Sequence, residues 1–168
     1  MTHWRREALA CVAALGFAGQ GGAATPDPCP TTVAPLGPFA EPSPSSASRF
    51  WFGSEALAVF LNRSGTWQGM GPRYDYRDKL FWWRQGYNGA TEQRPELFVY
   101  GRRLDGEPGA PKVSKATNAH HKSFGGWAML VGVEFPSSGC WEVKGEYEGQ
   151  TLTFVVQVGS QGERAAQQ

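Results

Sequence analysis

The stretch YDYRDKLFWWRQGY, residues 74–87, interleaves aromatic and charged side chains in a pattern that could bind a sugar or a peptide. Flat rings with an apolar face can stack on a pyranose, and charged neighbours can hydrogen-bond its hydroxyl groups. The same composition also fits the middle of a β-sheet, with buried rings and water-facing charges. The candidate ligand-binding residues are Tyr74, Tyr76, Trp82, Trp83 and Tyr87.

Adjacent residues of a strand point to opposite faces, so Trp82 and Trp83 cannot both lie in one core. We expect one ring to be buried and the other to be exposed or half-covered. Arg77, Lys79 or Arg84 could cover the outer ring through a cation–π contact, without any ligand. Structural packing is therefore the main interpretation of this stretch, and a binding surface is the alternative.

The sequence shows no established catalytic motif. It contains no nucleophile elbow, zinc-binding helix or phosphate loop. Asp75 and Asp78 flank the aromatic stretch, and two carboxylates beside stacking rings could cleave a glycosidic bond. Their neighbours Arg77 and Lys79 favour ordinary surface ion pairing instead. We expect a non-catalytic protein without a cofactor, with a hydrolase of unrecognised site as a remaining alternative.

Metal binding is considered at His120 and His121, the only adjacent histidines in the chain. On a strand the two rings diverge, so they cannot readily hold one ion together. Copper binding with the help of Met70 or Met129 is disfavoured, because Met129 belongs to the inward-facing set of its strand. The sequence predicts no metal site.

The first 24 residues are typical of an export signal. Residues 8–18 form an apolar run that is too short for a bilayer, which needs roughly 20 residues, and small residues follow. Cleavage is expected after Ala23 or Ala24. Cys11 lacks the large aliphatic residue three positions before it that a lipid-attachment box requires. The sequence predicts a secreted or periplasmic protein without membrane insertion, exported by either the general or the twin-arginine route.

The charge of the exported chain is balanced. The full sequence has 16 Lys and Arg and 15 Asp and Glu, and loss of two Arg and one Glu with the signal leaves 14 of each. Nucleic-acid binding needs a concentrated basic surface, and an anionic membrane needs a basic block. The balance therefore argues against both partner classes.

Composition divides the exported chain into a Pro- and Ser-rich leader at 25–48, a globular part at 49–159 and a polar tail at 160–168. About 110 residues are enough for one domain and too few for two. Cys29 and Cys140 are the two cysteines that remain after cleavage. In an oxidising compartment such a pair most often forms a disulfide, which would tether the leader to the domain.

Hydrophobic residues in the globular part recur mostly with a period of two, which is typical of β-strands. Residues 127–135 alternate, and 141–147 and 152–158 form an evident hairpin. Further strands are predicted in TWQG, KLFWWRQGY and ELFVYGRRL, whereas KVSKATNAHH fits an edge strand or a long loop. SEALAVFL is predicted as a strand, with a helix capped by Ser54 as the alternative, because Leu57, Phe60 and Leu61 also have helical spacing. This pattern predicts an all-β, immunoglobulin-like antiparallel β-sandwich of about seven short strands.

The alternation in CWEVKGEY also predicts where the disulfide lies. Cys140 shares a face with Glu142 and Lys144, which is the solvent face of that strand. A bond to Cys29 is therefore expected to hold the leader over the outside of the sheet, and not to cross the core.

The segment FPSSGCWEVKGEYEGQTLTFVVQV resembles the last strand pair of bacterial immunoglobulin-like domains. Over most of its exported length the chain resembles a group of uncharacterised secreted bacterial proteins, through the elements CPTT, FWWRQGY, GRRLDG and FPSSGCWE. The resemblance implies fold and export but no activity. We expect an exported binding or structural module whose partner is a protein or glycan of the cell envelope; the alternative is a carbohydrate-binding module that uses residues 74–87.

Overall fold

The computed structural model describes residues 29–35, 48–67, 69–70, 76–121 and 126–159. The predicted signal peptide (1–24) and polar tail (160–168) lie outside these residues, as does most of the predicted leader. The described residues contain no helix of the length and apolar character needed to cross a bilayer. Their strands are β1 (Arg49–Ser54), β2 (Leu57–Asn62), β3 (Thr66–Trp67), β4 (Arg77–Trp83), β5 (Phe98–Arg103), β6 (Lys112–Val113), β7 (Thr117–His121), β8 (Gly126–Glu134), β9 (Gly139–Tyr147) and β10 (Gln150–Val158).

The strands form two sheets that pack as a sandwich, which confirms the predicted all-β class. Sheet A has six strands in the order β1-β2-β4-β8-β6, with β7 also paired to β8, and sheet B has the order β3-β10-β9-β5. All pairs are antiparallel except β3 with β10. The structure has more strands than predicted, because KVSKATNAHH supplies both β6 and β7 and because β1 was not predicted.

The core lies between the sheets and follows the predicted alternation. On β8, Met129, Val131 and Val133 have no exposed surface, and on β9 the same holds for Trp141 and Val143. Aromatic rings fill the end of the core near the β8–β9 turn. The ring centroids of Phe135 lie 4.8 Å from Trp67 and 4.9 Å from Trp141, within the range of favourable aromatic contacts.

Trp82 joins the two sheets through a contact with a glycine. The Trp82 side chain projects from sheet A, is fully buried and packs beside Phe154 of sheet B. A Cβ atom placed on Gly145 of β9 would lie only 2.2 Å from Cη2 of this indole. The absence of a side chain at Gly145 therefore makes room for the ring in the core.

The predicted disulfide between Cys29 and Cys140 is present, with the two Cα atoms 5.5 Å apart. Cys140 alternates with the core residue Trp141, so the bond lies on the outer face of sheet B, as predicted. The leader then continues to the edge of β10. There the Thr32 N–H donates to the Val155 carbonyl oxygen at 2.9 Å, and the Val155 N–H donates to Thr32 Oγ1 at 2.9 Å.

Tyr147 attaches the β4–β5 connection to sheet B, and Tyr87 forms a hydrogen bond within that connection. The Tyr147 hydroxyl donates to Glu92 Oε2 at 2.6 Å, and the Tyr87 hydroxyl donates to the Glu92 carbonyl oxygen at 2.9 Å. Arg84 lies over the Tyr147 ring, with its Cζ 5.7 Å from the centroid, and forms an ion pair with Glu148. Both hydroxyls are thus held as donors, which requires them to remain protonated.

This network predicts a loss of stability at alkaline pH. Burial, followed by the Glu92 carboxylate, raises the pKa of Tyr87 to about 12. An unfolded tyrosine has a pKa of about 10, so the folded state resists deprotonation. The stabilisation from Tyr87 is complete below pH 10 and is lost as the pH rises from about 10 to 12. Between these values, the free energy of unfolding measured with urea should fall more steeply in the natural protein than in Tyr87→Phe.

Tyr100→Phe is the matched control, because Tyr100 is half exposed on sheet B. Its free energy of unfolding should fall with rising pH as steeply as that of the natural protein. Lysine side chains titrate in the same pH range, but they are the same in all three proteins and do not affect the comparison. Parallel curves for the natural protein and Tyr87→Phe would contradict the prediction.

Candidate functional site

The structure does not bring the predicted ligand-binding residues together on one surface. Trp82 is in the core and Tyr87 is 9% exposed, with its hydroxyl bonded to Glu92. Tyr76 is half-buried against the core. Trp83 lies on the opposite face of β4 from Trp82, as expected for neighbours on a strand. Tyr74 lies outside the described residues.

Trp83 belongs to a second apolar cluster, on the outside of sheet A. The cluster contains two small buried residues, Ala58 and Ala128, and four aromatic residues that we call the aromatic face: Trp51, Phe60, Phe81 and Trp83. Trp51 is buried at 4% exposure, whereas Phe60, Phe81 and Trp83 are half-buried. The Trp51 and Phe60 rings are 4.9 Å apart and tilted by 40°. These two rings therefore pack at an angle and are not stacked as parallel plates.

Strand register places the aromatic face in two neighbouring rows across sheet A. In the first row, Trp51 is opposite Phe60 and Phe81 is opposite Leu130. In the second row, Trp83 is opposite Ala58. The small side chain on β2 leaves room for the large indole beside it, since directly opposite residues have Cβ atoms only about 5 Å apart.

An open groove of about 590 Å³ adjoins the first row on the side away from Trp83. Lys79 and Gly132 are opposite each other in its floor, and the Ser114 hydroxyl accepts the Gly132 N–H at 2.9 Å. Its lining includes Met70, Arg77, Lys79, Ser114, Thr117 and Leu130. We call this the outer groove. It presents ammonium, guanidinium and hydroxyl groups directly beside the aromatic face.

The groove carries charges of both signs, because Asp78 lines it together with Arg77 and Lys79. Arg77 Nε lies 3.7 Å from Glu134 Oε2, and both side chains are about half exposed to solvent. Burial raises the pKa of Asp78, while the Lys79 N–H and the charges of Arg49 and Lys79 act in the opposite direction. Arg49 also lies over the Phe60 ring, with its Cζ 5.7 Å from the centroid. Cationic groups thus border the aromatic face.

An aromatic outer face is unusual for a sandwich, whose outward side chains are normally polar. Large exposed apolar patches mark surfaces that contact another molecule, and Phe60, Phe81 and Trp83 are each partly exposed. A groove of several hundred Å³ with a few polar groups is in the range of small-molecule sites. The arrangement is suited to binding through ring stacking and hydrogen bonding.

Of the remaining candidates from the sequence, Asp78 and Met70 line the outer groove, whereas His120 is not among its lining residues. The imidazole of His120 packs against Trp127, with ring centroids 4.9 Å apart. Across the described ranges, no three His, Cys, Asp or Glu side chains are grouped as a metal site would require. Asp75 lies outside the described residues, so the spacing of the Asp75 and Asp78 carboxylates is not defined.

Sequence reasoning missed three members of the aromatic face, namely Trp51, Phe60 and Phe81. The available signal was RFWFGSEALAVF, two apolar segments joined by a short polar turn that together form the β1–β2 hairpin. Because both faces of β1 and β2 are apolar, the segments do not alternate, and alternation is the signal that identifies a one-sided strand.

Comparison with known proteins gives no match to this chain, whether among family models, curated proteins or solved structures. What the aromatic face and the outer groove bind therefore has to follow from their own residues.

Proposed function

We propose that this chain is an exported, non-catalytic module that binds a ligand of the cell envelope through the aromatic face. The observation that carries the proposal is the row of outward aromatic side chains on sheet A, where a sandwich normally presents polar groups to water. The export-signal pattern of residues 1–24 and the single disulfide support an extracytoplasmic location.

The aromatic face is not needed to close the core, which supports a role in recognition. The core between the sheets is filled from the other side of the same strands, by residues such as Leu80 and Val131. Aromatic residues at the centre of a contact surface commonly contribute most of the binding energy. Trp83 is the best candidate for that role, because it combines a large ring with partial exposure.

Carbohydrate is the ligand class favoured by the outer groove. Phe81 belongs to the row that borders the groove, and the Lys79, Ser114 and Thr117 side chains line it. A sugar has an apolar ring face and a rim of hydroxyl groups, so it can use both parts at once. A purely apolar ligand would need the aromatic face alone.

The proposal predicts that Trp83→Ala weakens binding at least about tenfold, the effect expected for loss of a central aromatic contact. A glycan array and a pull-down from the cell envelope would identify the ligand, and isothermal titration calorimetry would measure its affinity. Tyr100→Ala is the matched control, since it removes an exposed aromatic side chain from sheet B. It should bind like the natural protein.

Lys79→Ala separates the two ligand classes. It should weaken binding of a glycan, because the outer groove loses a hydrogen-bond donor, and should leave an apolar protein partner unaffected. A ligand whose affinity is the same for the natural protein and Trp83→Ala would contradict the assignment of the aromatic face.

A further inference from the structure

The edge of sheet B carries a second set of exposed aromatic residues, far from the aromatic face. Phe98 is 56% exposed and Tyr100 is 50% exposed, and both project from the outer side of β5 with Arg102. Within the described part of the chain, β5 pairs only with β9, so it is an edge strand. Exposed aromatic residues on an edge strand are a known cause of association between chains.

Alternate residues of β5 direct their backbone groups away from β9. The Leu104 N–H donates to the Cys140 carbonyl oxygen at 2.8 Å, which fixes the alternation of the β5–β9 ladder. Tyr100 and Arg102 consequently direct their backbone groups to β9, whereas Val99 and Gly101 direct theirs away from the sheet. β5 contains neither lysine nor proline, two residues that commonly protect an edge from pairing, and its charges are confined to Arg102 and Arg103 at its C-terminal end.

Space beside this edge is open and largely apolar. A groove of about 390 Å³ separates residues 94–100 from residues 113–116, where the flank of sheet B faces that of sheet A. The buried residues Leu97, Val99 and Ala116 form part of its walls. A strand added to β5 would cover the mouth of this groove and remove apolar surface from water.

We propose that β5 pairs with β5 of a second copy of this chain, in an antiparallel arrangement that joins the two four-stranded sheets into one. Two registers pair the most residues of β5, one centred on Tyr100 and one centred on Gly101. In the register centred on Tyr100, Arg102 lies opposite Phe98 of the second copy. In the register centred on Gly101, Arg102 lies opposite Tyr100 of the second copy. Neither register places two arginines opposite each other.

This charge pattern is the reason for choosing a second copy as the occupant. Arg102 is held in place by Glu142, with Nε 2.6 Å from Oε1, and lies on the exposed outer face of sheet B with Phe98 and Tyr100. Pairing with the partner's aromatic ring gives a cation–π contact on each side of the two-fold axis. The outer surface of β5 is thus complementary to itself.

Sedimentation equilibrium of the secreted protein is the test. We expect a dimer at concentrations of about 100 µM, since a single strand pair buries less area than a standard stable interface. Tyr100→Lys places two like charges opposite each other in either register. The new lysine faces its counterpart in the second copy in the register centred on Tyr100, and faces Arg102 in the register centred on Gly101. The dimer dissociation constant should therefore rise at least about tenfold. Phe98→Lys is a second exposed variant that should act in the same direction in the register centred on Tyr100.

Thr151→Lys is the matched control, because Thr151 is exposed on the same face of sheet B but lies on β10, two strands from β5. It should dimerise normally, and so should Trp83→Ala, which keeps this test independent of ligand binding. Slower amide hydrogen exchange at Val99 and Gly101 with rising concentration would support the β5 contact. A monomer at all concentrations, or a dimer unchanged by Tyr100→Lys, would overturn the proposal.

Discussion

Replacing Cys29 and Cys140 by serine is expected to lower the free energy of unfolding by about 4 kcal/mol. The bond links residues 111 positions apart, so the loop that it closes contains β1 to β8. Most of the effect arises in the unfolded state, which gains conformational entropy when the loop is opened. Urea denaturation followed by tryptophan fluorescence would measure the change. The free energy of unfolding should also depend more steeply on urea concentration, because the open unfolded chain exposes more surface.

Thr32→Val separates loop closure from the contacts of the leader. It removes the oxygen that accepts the Val155 N–H but leaves the disulfide intact. The expected loss is only about 1 kcal/mol, the usual contribution of a single hydrogen bond. If the free energy of unfolding fell no further in the serine double variant than in Thr32→Val, loop closure would not be the source of the stabilisation.

The strands that were predicted best are those with one polar face. In β9, Trp141, Val143 and Tyr147 alternate with charged residues, so the sequence alone gives the inward face and, with it, the outward position of Cys140. A period of two is informative only where burial differs between faces. The same alternation gives the outer position of the Cys29–Cys140 disulfide.

The aromatic face could not be predicted in the same way, because its strands are apolar on both sides. In β1, Phe50 faces the core and Trp51 faces outward, and both are buried. The adjacent Trp82 and Trp83 must diverge, but local sequence does not decide which of them enters the core. That choice depends on Gly145, which is 63 residues further along the chain and accommodates the Trp82 ring.

The edge strand β5 illustrates a second limit of local sequence. ELFVYGRRL was predicted as a strand, yet the exposure of Phe98 and Tyr100 follows from the order of strands in sheet B. Strand order is decided by contacts between distant segments, here β5 with β9. The two surfaces on which the proposals depend are therefore both products of tertiary structure.

Gly145→Ala is expected to lower the free energy of unfolding by about 2–3 kcal/mol, as overpacking of a core usually does. The new methyl group would overlap the indole of Trp82, which has no exposed surface and cannot turn out into solvent. Either the ring or β9 must move, and both are packed on all sides. Thermal and urea unfolding would measure the loss.

Gly126→Ala is the matched control, because a Cβ atom at Gly126 would meet no heavy atom within 4 Å. It should change the free energy of unfolding by no more than about 0.5 kcal/mol. A combined variant, Gly145→Ala with Trp82→Phe, tests the cause directly. The smaller ring leaves a cavity by itself but relieves the overlap with alanine, so the double variant should be more stable than the sum of the single losses predicts. Strictly additive losses would show that the contact between Trp82 and Gly145 does not set the packing of the two sheets.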